Sequence, residues 1–109
     1  MEKQIKIIEL LLTIKSIPGL YIGTKSITRL KSFIDGYRFI MDSENREYGV
    51  NIYYDFNEWM AHKYFIREPI LWDTFLLGLV NSEEKAFDLF FEELEAFLKE
   101  NNLEIPKIK

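Results

Sequence analysis

The chain has 109 residues, 18 of them acidic and 14 basic, for a formal charge of −4, and its 48% apolar content includes nine Phe, six Tyr and two Trp. That length suits one domain with one modest core, and such an apolar content excludes a disordered chain. With no cysteine and a single histidine, a disulfide framework, a thiolate zinc site and a thiol nucleophile are excluded, and the acidic balance speaks against nucleic acid and for a basic partner.

Residues 2–16 open the chain as a helix. Ile5, Ile7, Ile8, Leu10, Leu11, Leu12, Ile14 and Ile17 cover most of its circumference, leaving Lys6, Glu9, Thr13 and Ser16 as a narrow polar stripe. A helix apolar over so much of its surface is expected to be the most enclosed of its domain. Glu9 breaks the clean apolar run that a secretory signal requires. No stretch reaches the roughly eighteen apolar residues of a membrane span, and the longest, Pro69 to Val80, contains Asp73. A cytoplasmic protein with no membrane partner is expected.

Pro18-Gly19 stops the first helix. The run Gly19-Leu20-Tyr21-Ile22-Gly23-Thr24-Lys25-Ser26 has glycines and a lysine in the wrong spacing for a phosphate loop, and it reads as an interhelical connection. Gly19 is expected to cap the first helix and Gly23 to turn the chain. A second helix is predicted from about Ser26 to Met41, with Ile27, Leu30, Phe33, Ile34, Tyr37, Ile40 and Met41 on one face. Lys25, Arg29, Lys31 and Arg38 lend it basic character, although Asp35 sits among them. Gly36 lies in its interior, where close approach of another helix is expected to compensate for the poor helix propensity.

Asp42 to Glu47 reads as a polar loop. Tyr48 to Tyr54 alternates apolar and polar positions, which predicts an extended segment near residues 48–54 without a pairing partner. Asp55 and Glu58 have capping-box spacing and are expected to open a third helix, Phe56 to about Arg67. His62 stands four residues after Glu58, too few ligands for a metal site. Pro69 suits the first turn of a fourth helix that ends at Asn81-Ser82. Ser82 then caps a fifth, Glu83 to about Glu100, whose Phe87, Phe90, Phe91, Leu94, Phe97 and Leu98 lie within roughly 140° of arc. Residues 102–109, which include Pro106, read as a frayed tail. The expected fold is all-α: a compact single-domain bundle of about five helices spanning residues 1–109.

Candidate chemistry is thin. No serine sits in a nucleophile elbow, and no nucleophile, base and orienter group together, so no catalytic residue, metal or cofactor is assigned and no enzyme is expected. The fifth helix instead carries Glu84, Asp88, Glu92 and Glu95 within about 80° of arc, away from its phenylalanines, an acidic strip suited to a basic protein partner. Asp55 and Glu58 with Tyr53 and Tyr54 form a second acidic, aromatic candidate surface. Phe39, Tyr53 and Tyr54 are not placed by the core pattern and are candidate aromatic anchors.

Over residues 18–98 the chain resembles a family of small bacterial proteins associated with immunity in polymorphic toxin and contact-dependent inhibition systems. The resemblance lies in Pro18 to Gly23 followed by Ser26, in Leu30, Phe33, Gly36 and Tyr37, in Asp55, Phe56, Trp59 and Trp72, and in Glu84, Ala86, Phe87, Phe90, Phe91, Leu94 and Phe97. It implies a non-catalytic protein that neutralises a cognate basic toxin domain, such as a nuclease, by stoichiometric binding, and it offers no catalytic residues. A small adaptor or regulator of unknown ligand is the alternative.

Overall fold

A computed structural model describes residues 2–44, 50–68 and 70–102, with side chains described over 7–40, 55–68 and 70–102. Among the described residues there are six helices and no strand: α1 (Glu2–Ser16), α2 (Pro18–Ile22), α3 (Ile27–Glu44), α4 (Val50–Lys63), α5 (Trp72–Val80) and α6 (Glu83–Glu100). The all-α bundle expected from the sequence is the fold observed.

The centre of the bundle is α6. Ala86, Phe87, Phe90, Phe91, Leu94, Phe97 and Leu98 are buried on it, and α3, α4 and α5 pack around it. Its phenylalanines form an edge-to-face chain: Phe90 meets Phe91 at 5.0 Å and Phe56 at 5.5 Å, and Phe97 meets Phe56 at 5.5 Å and Trp59 at 5.7 Å. Such pairs favour one arrangement of rings beyond the area they bury. The expectation that α1 is the most enclosed helix is therefore corrected. Ile7, Ile8, Leu11 and Ile14 are buried, but Leu10 and Leu12 are only partly so. A broad apolar circumference shows that a helix can be central; the number of neighbours around it decides whether it is.

The capping signals hold at the junction of α5 and α6. Ser82 adopts an extended backbone and its hydroxyl accepts from the Lys85 N–H at 3.2 Å, so α6 begins where the sequence predicts. Asn81 closes α5 in the left-handed conformation, with its N–H on the Leu77 carbonyl at 2.7 Å. Gly23 (φ 85°) ends α2, and a Cβ there would run into the Arg29 guanidinium.

Several boundaries differ. Pro18 both ends α1 and occupies the first turn of the extra short helix α2, so Gly19 is helical rather than a cap. The third α-helix continues through residues 42–44, which the sequence reads as loop; residues 45–49 lie outside the described residues.

The extended segment expected near 48–54 is overturned: residues 50–54 are the first turns of α4. An unpaired strand would leave its backbone groups without ladder partners, whereas a helix satisfies them internally. Positions 52, 56, 59, 60 and 63 already have helical spacing, and Phe56 and Met60 are buried. Asp55 is thus inside α4 and does not open a helix.

At its other end α4 stops at Lys63 rather than Arg67. The Phe65 N–H reaches the His62 carbonyl at 3.3 Å and the Ile66 N–H reaches the Ala61 carbonyl at 2.8 Å, the Schellman pattern of a helix end. Next, α5 begins at Trp72, preceded by an extended Leu71 that makes no side-chain cap; Pro69, expected in its first turn, lies outside the described residues. Gly36 is exposed, and nothing stands within 4 Å of a Cβ built there. The expected close approach of a second helix at Gly36 does not occur.

Candidate interaction surfaces

The core face of α6 fixes the direction of its opposite face. Glu84, Asp88, Glu92 and Glu95 are all exposed on it, as the helical register requires. The structure adds cations that the periodicity could not place. From the connection between α2 and α3, Lys25 reaches the Asp88 carboxylate at 2.8 Å and lies 4.0 Å from Glu84. The hydrogen bond to Asp88 and the charges of Asp88 and Glu84 raise the Lys25 pKa above its usual value against a smaller desolvation effect. Lys99, one turn along α6, pairs with Glu95 at 3.1 Å. Glu92 makes no ion pair among the described residues.

Of the second acidic surface, Asp55 and Glu58 are exposed on α4 and three residues apart, hence on neighbouring positions of one face. Tyr53 and Tyr54 belong to the same helix, but their side chains lie outside the described residues. Phe39 is 76% exposed on α3, as an anchor requires. His62 is exposed one turn after Glu58, and no cluster of three His, Asp or Glu gathers among the described residues. The basic residues of α3 are engaged within the fold. Lys31 and Arg38 pair with Asp35, and Arg29 donates to the Ile22 carbonyl at 3.0 Å.

Two carboxylates outside the strip have structural work. Glu93 is 6% exposed beside α4 and accepts from Lys63 Nζ at 3.0 and 2.8 Å and from the Tyr64 hydroxyl at 3.0 Å. Desolvation first, then the hydrogen bond to Glu93 and nearby acidic charge, push the Tyr64 hydroxyl up to about 12. The signal was present in the sequence: Glu93 stands three residues after Phe90 and four before Phe97, at the edge of the core face.

Glu83 reaches across to α3. Its Oε1 accepts from the Ser26 hydroxyl at 2.8 Å and the Thr28 N–H at 2.9 Å, and its Oε2 accepts from the Thr28 hydroxyl at 2.7 Å. Ser26 in turn accepts from the Arg29 N–H at 3.2 Å, so one network caps α3 and ties it to the start of α6. The hydrogen bonds from Thr28 and Ser26 hold the Glu83 carboxyl below its usual pKa.

Along the flank beside Glu93 an open groove of about 430 Å³ is lined by Trp59, His62, Lys63, Ala96 and Glu100. Its polar groups are partly committed: the Trp59 indole N–H donates to Glu100 at 2.8 Å, and Lys63 holds Glu93 while lying 5.2 Å from the Trp59 ring.

The class of protein defined by this geometry is a helical bundle with a rigid central helix that buries one face and presents carboxylates on the other. No helix among the described residues is long and apolar enough to cross a membrane. No family model, curated protein or solved structure matches the chain.

Proposed function

We propose that this is a non-catalytic, cytoplasmic binding protein, an immunity protein that neutralises a cognate basic toxin domain, such as a nuclease, by stoichiometric binding. The observation that carries the reading is the α6 strip: Glu84, Asp88, Glu92 and Glu95 exposed on the helix that the whole core immobilises. A rigid charged face binds without first having to be ordered, and it accelerates encounter with an oppositely charged partner. The resemblance over residues 18–98 supports the same reading, and so does the exposed Phe39.

Lys25 and Lys99 moderate the strip. Asp88, Glu84 and Glu95 exchange an internal cation for a partner's, whereas Glu92 engages a partner without giving one up. Glu92 is therefore the contact expected to matter most per residue.

The alternative, a small adaptor or regulator, draws on the groove along Trp59, His62 and Lys63, whose volume of about 430 Å³ falls within the range of ligand sites. Trp59 and Lys63 in that groove are already engaged with Glu100 and Glu93.

The test is to co-express the open reading frame adjacent to this gene with the protein or with its Asp88→Lys/Glu92→Lys variant. The reading expects survival with the wild type, a one-to-one complex, and weaker protection by the variant. Failure of the wild type to protect would sink the immunity reading. Equal protection by both would sink the strip as its binding surface.

A further inference from the structure

The short helix α2 holds an apolar side chain out in solvent on a fixed support. Leu20 is 75% exposed, and Ile17 and Tyr21 on either side of it in the chain are exposed as well. The backbone beneath them is tied down. The Leu20 N–H donates to the Ile17 carbonyl at 3.1 Å, and the Ile17 N–H to the Thr13 carbonyl at 3.1 Å. Ile22 is buried, and its carbonyl accepts from Arg29 Nη1 at 3.0 Å. Tyr21 sets its ring edge-to-face against Phe33 at 6.4 Å. A solvated leucine forfeits the free energy of burial, and α2 cannot turn Leu20 inward without withdrawing Ile22 from the core.

This corner stands beside the acidic strip. Before it in the chain, Lys15 lies 6.0 Å from the Phe91 ring of α6. After it, Lys25 lies 5.9 Å from the Phe87 ring and bonds Asp88 at 2.8 Å. The segment between the two lysines is therefore fastened to one flank of α6 at both ends. Phe91 is about 60° from Asp88 around the helix, so this flank borders the strip directly. The other flank belongs to α4, whose Lys63 reaches α6 at Glu93, about 140° from Asp88.

We propose that Leu20, with Ile17 beside it, is the apolar anchor of the toxin interface, and that it enters an apolar socket on the basic toxin domain whose border carries the cations that meet Glu84 and Asp88. The inference rests on the immunity reading and adds to it the chemistry of the partner's surface. Charge complementarity selects this occupant. A second copy joined about a two-fold axis would set one acidic strip against another, and an anionic membrane surface would meet the same carboxylates. A basic protein with a socket gains from the strip and from the corner together. The two act on different rates: long-range charge on encounter, the seated side chain on dissociation. An anchor already fixed before contact has little freedom left to lose on binding.

The test measures association and dissociation of the whole chain with the product of the adjacent open reading frame, at low and high salt, with thermal melts to verify folding. Leu20→Ser should keep the wild-type melting temperature, because the side chain is solvated, and should dissociate about tenfold faster at both salt concentrations. Leu20→Met keeps an apolar side chain there and should dissociate as the wild type does. Asp88→Lys/Glu92→Lys should instead slow association, and chiefly at low salt. Phe65→Gly removes an 88% exposed ring at the end of α4, on the other flank, and should bind as the wild type does. A Leu20→Ser complex as long-lived as that of the wild type would overturn the anchor and leave the immunity reading standing. Faster dissociation together with a lower melting temperature would place the Leu20 side chain in the fold and overturn the anchor too. A wild type that neither binds nor protects would overturn the immunity reading, and the anchor with it.

Discussion

At Phe65 a left-handed backbone and a solvated ring coincide, so each can be relieved by substitution without disturbing the core. Phe65→Gly is expected to raise the stability of the monomer by up to about 1 kcal/mol, the scale of the left-handed penalty for a residue with a Cβ. A thermal melt measures it; an unchanged or lower melting temperature would show that the ring contributes to the fold. Gly36 offers the complementary case. It is helical, exposed and surrounded by open space, so alanine adds propensity without a clash. Gly36→Ala should stabilise by about 1 kcal/mol and raise the melting temperature by roughly 4–8 °C. The sequence alone suggested the opposite sign, because an interior glycine reads as a packing device until its surroundings are known.

Among the elements, the pairing of α3 and α6 through Glu83 is sensitive to acid. Its carboxyl is held below the usual value, so the ionised form stabilises the fold. That contribution is fully present above the carboxyl's unfolded pKa, near the usual value of 4.5, and is lost as pH falls through the lower folded-state pKa. Glu83→Gln should therefore destabilise at pH 7 by about 1 kcal/mol, the typical value of a helix cap, and show a shallower loss of stability below about pH 4.5. Urea titrations of both proteins from pH 7 to pH 3 measure this; parallel curves would show that Glu83 does not carry the linkage. Ser26, which donates to Glu83 and accepts from the Arg29 N–H, belongs to the same unit, so Ser26→Ala and Glu83→Gln should be less than additive.

Across the whole molecule, the net charge of −4 and the α6 strip bear on association kinetics. Salt screens such fields over about 8 Å at physiological ionic strength. Association with a basic toxin domain should slow about tenfold between 20 and 500 mM salt, while dissociation changes less. Asp88→Lys/Glu92→Lys should reduce both the low-salt rate and its salt dependence without unfolding the protein, since both side chains are exposed. Stopped-flow mixing measures the rates. A salt-independent rate for the wild type would remove electrostatic steering from the mechanism.

The sequence by itself determined the all-α class, the limits of α1 and α6, the Ser82 cap, and which face of α6 meets the core and which meets solvent. These follow from caps and from a 3.6-residue period, both written into neighbouring residues. Where a short window favoured the wrong period, at residues 50–54, the longer helical spacing running through Phe56 and Met60 prevailed. Tertiary structure alone decided that α6 rather than α1 is central. It also decided that Lys25 neutralises part of the strip, that Gly36 faces open space, and that Glu83 caps α3 through Thr28, 55 residues before it. Periodicity fixes the direction in which a side chain points from its own helix axis. What stands there depends on how the helices are placed against one another, and that is set by the packing of the whole core at once.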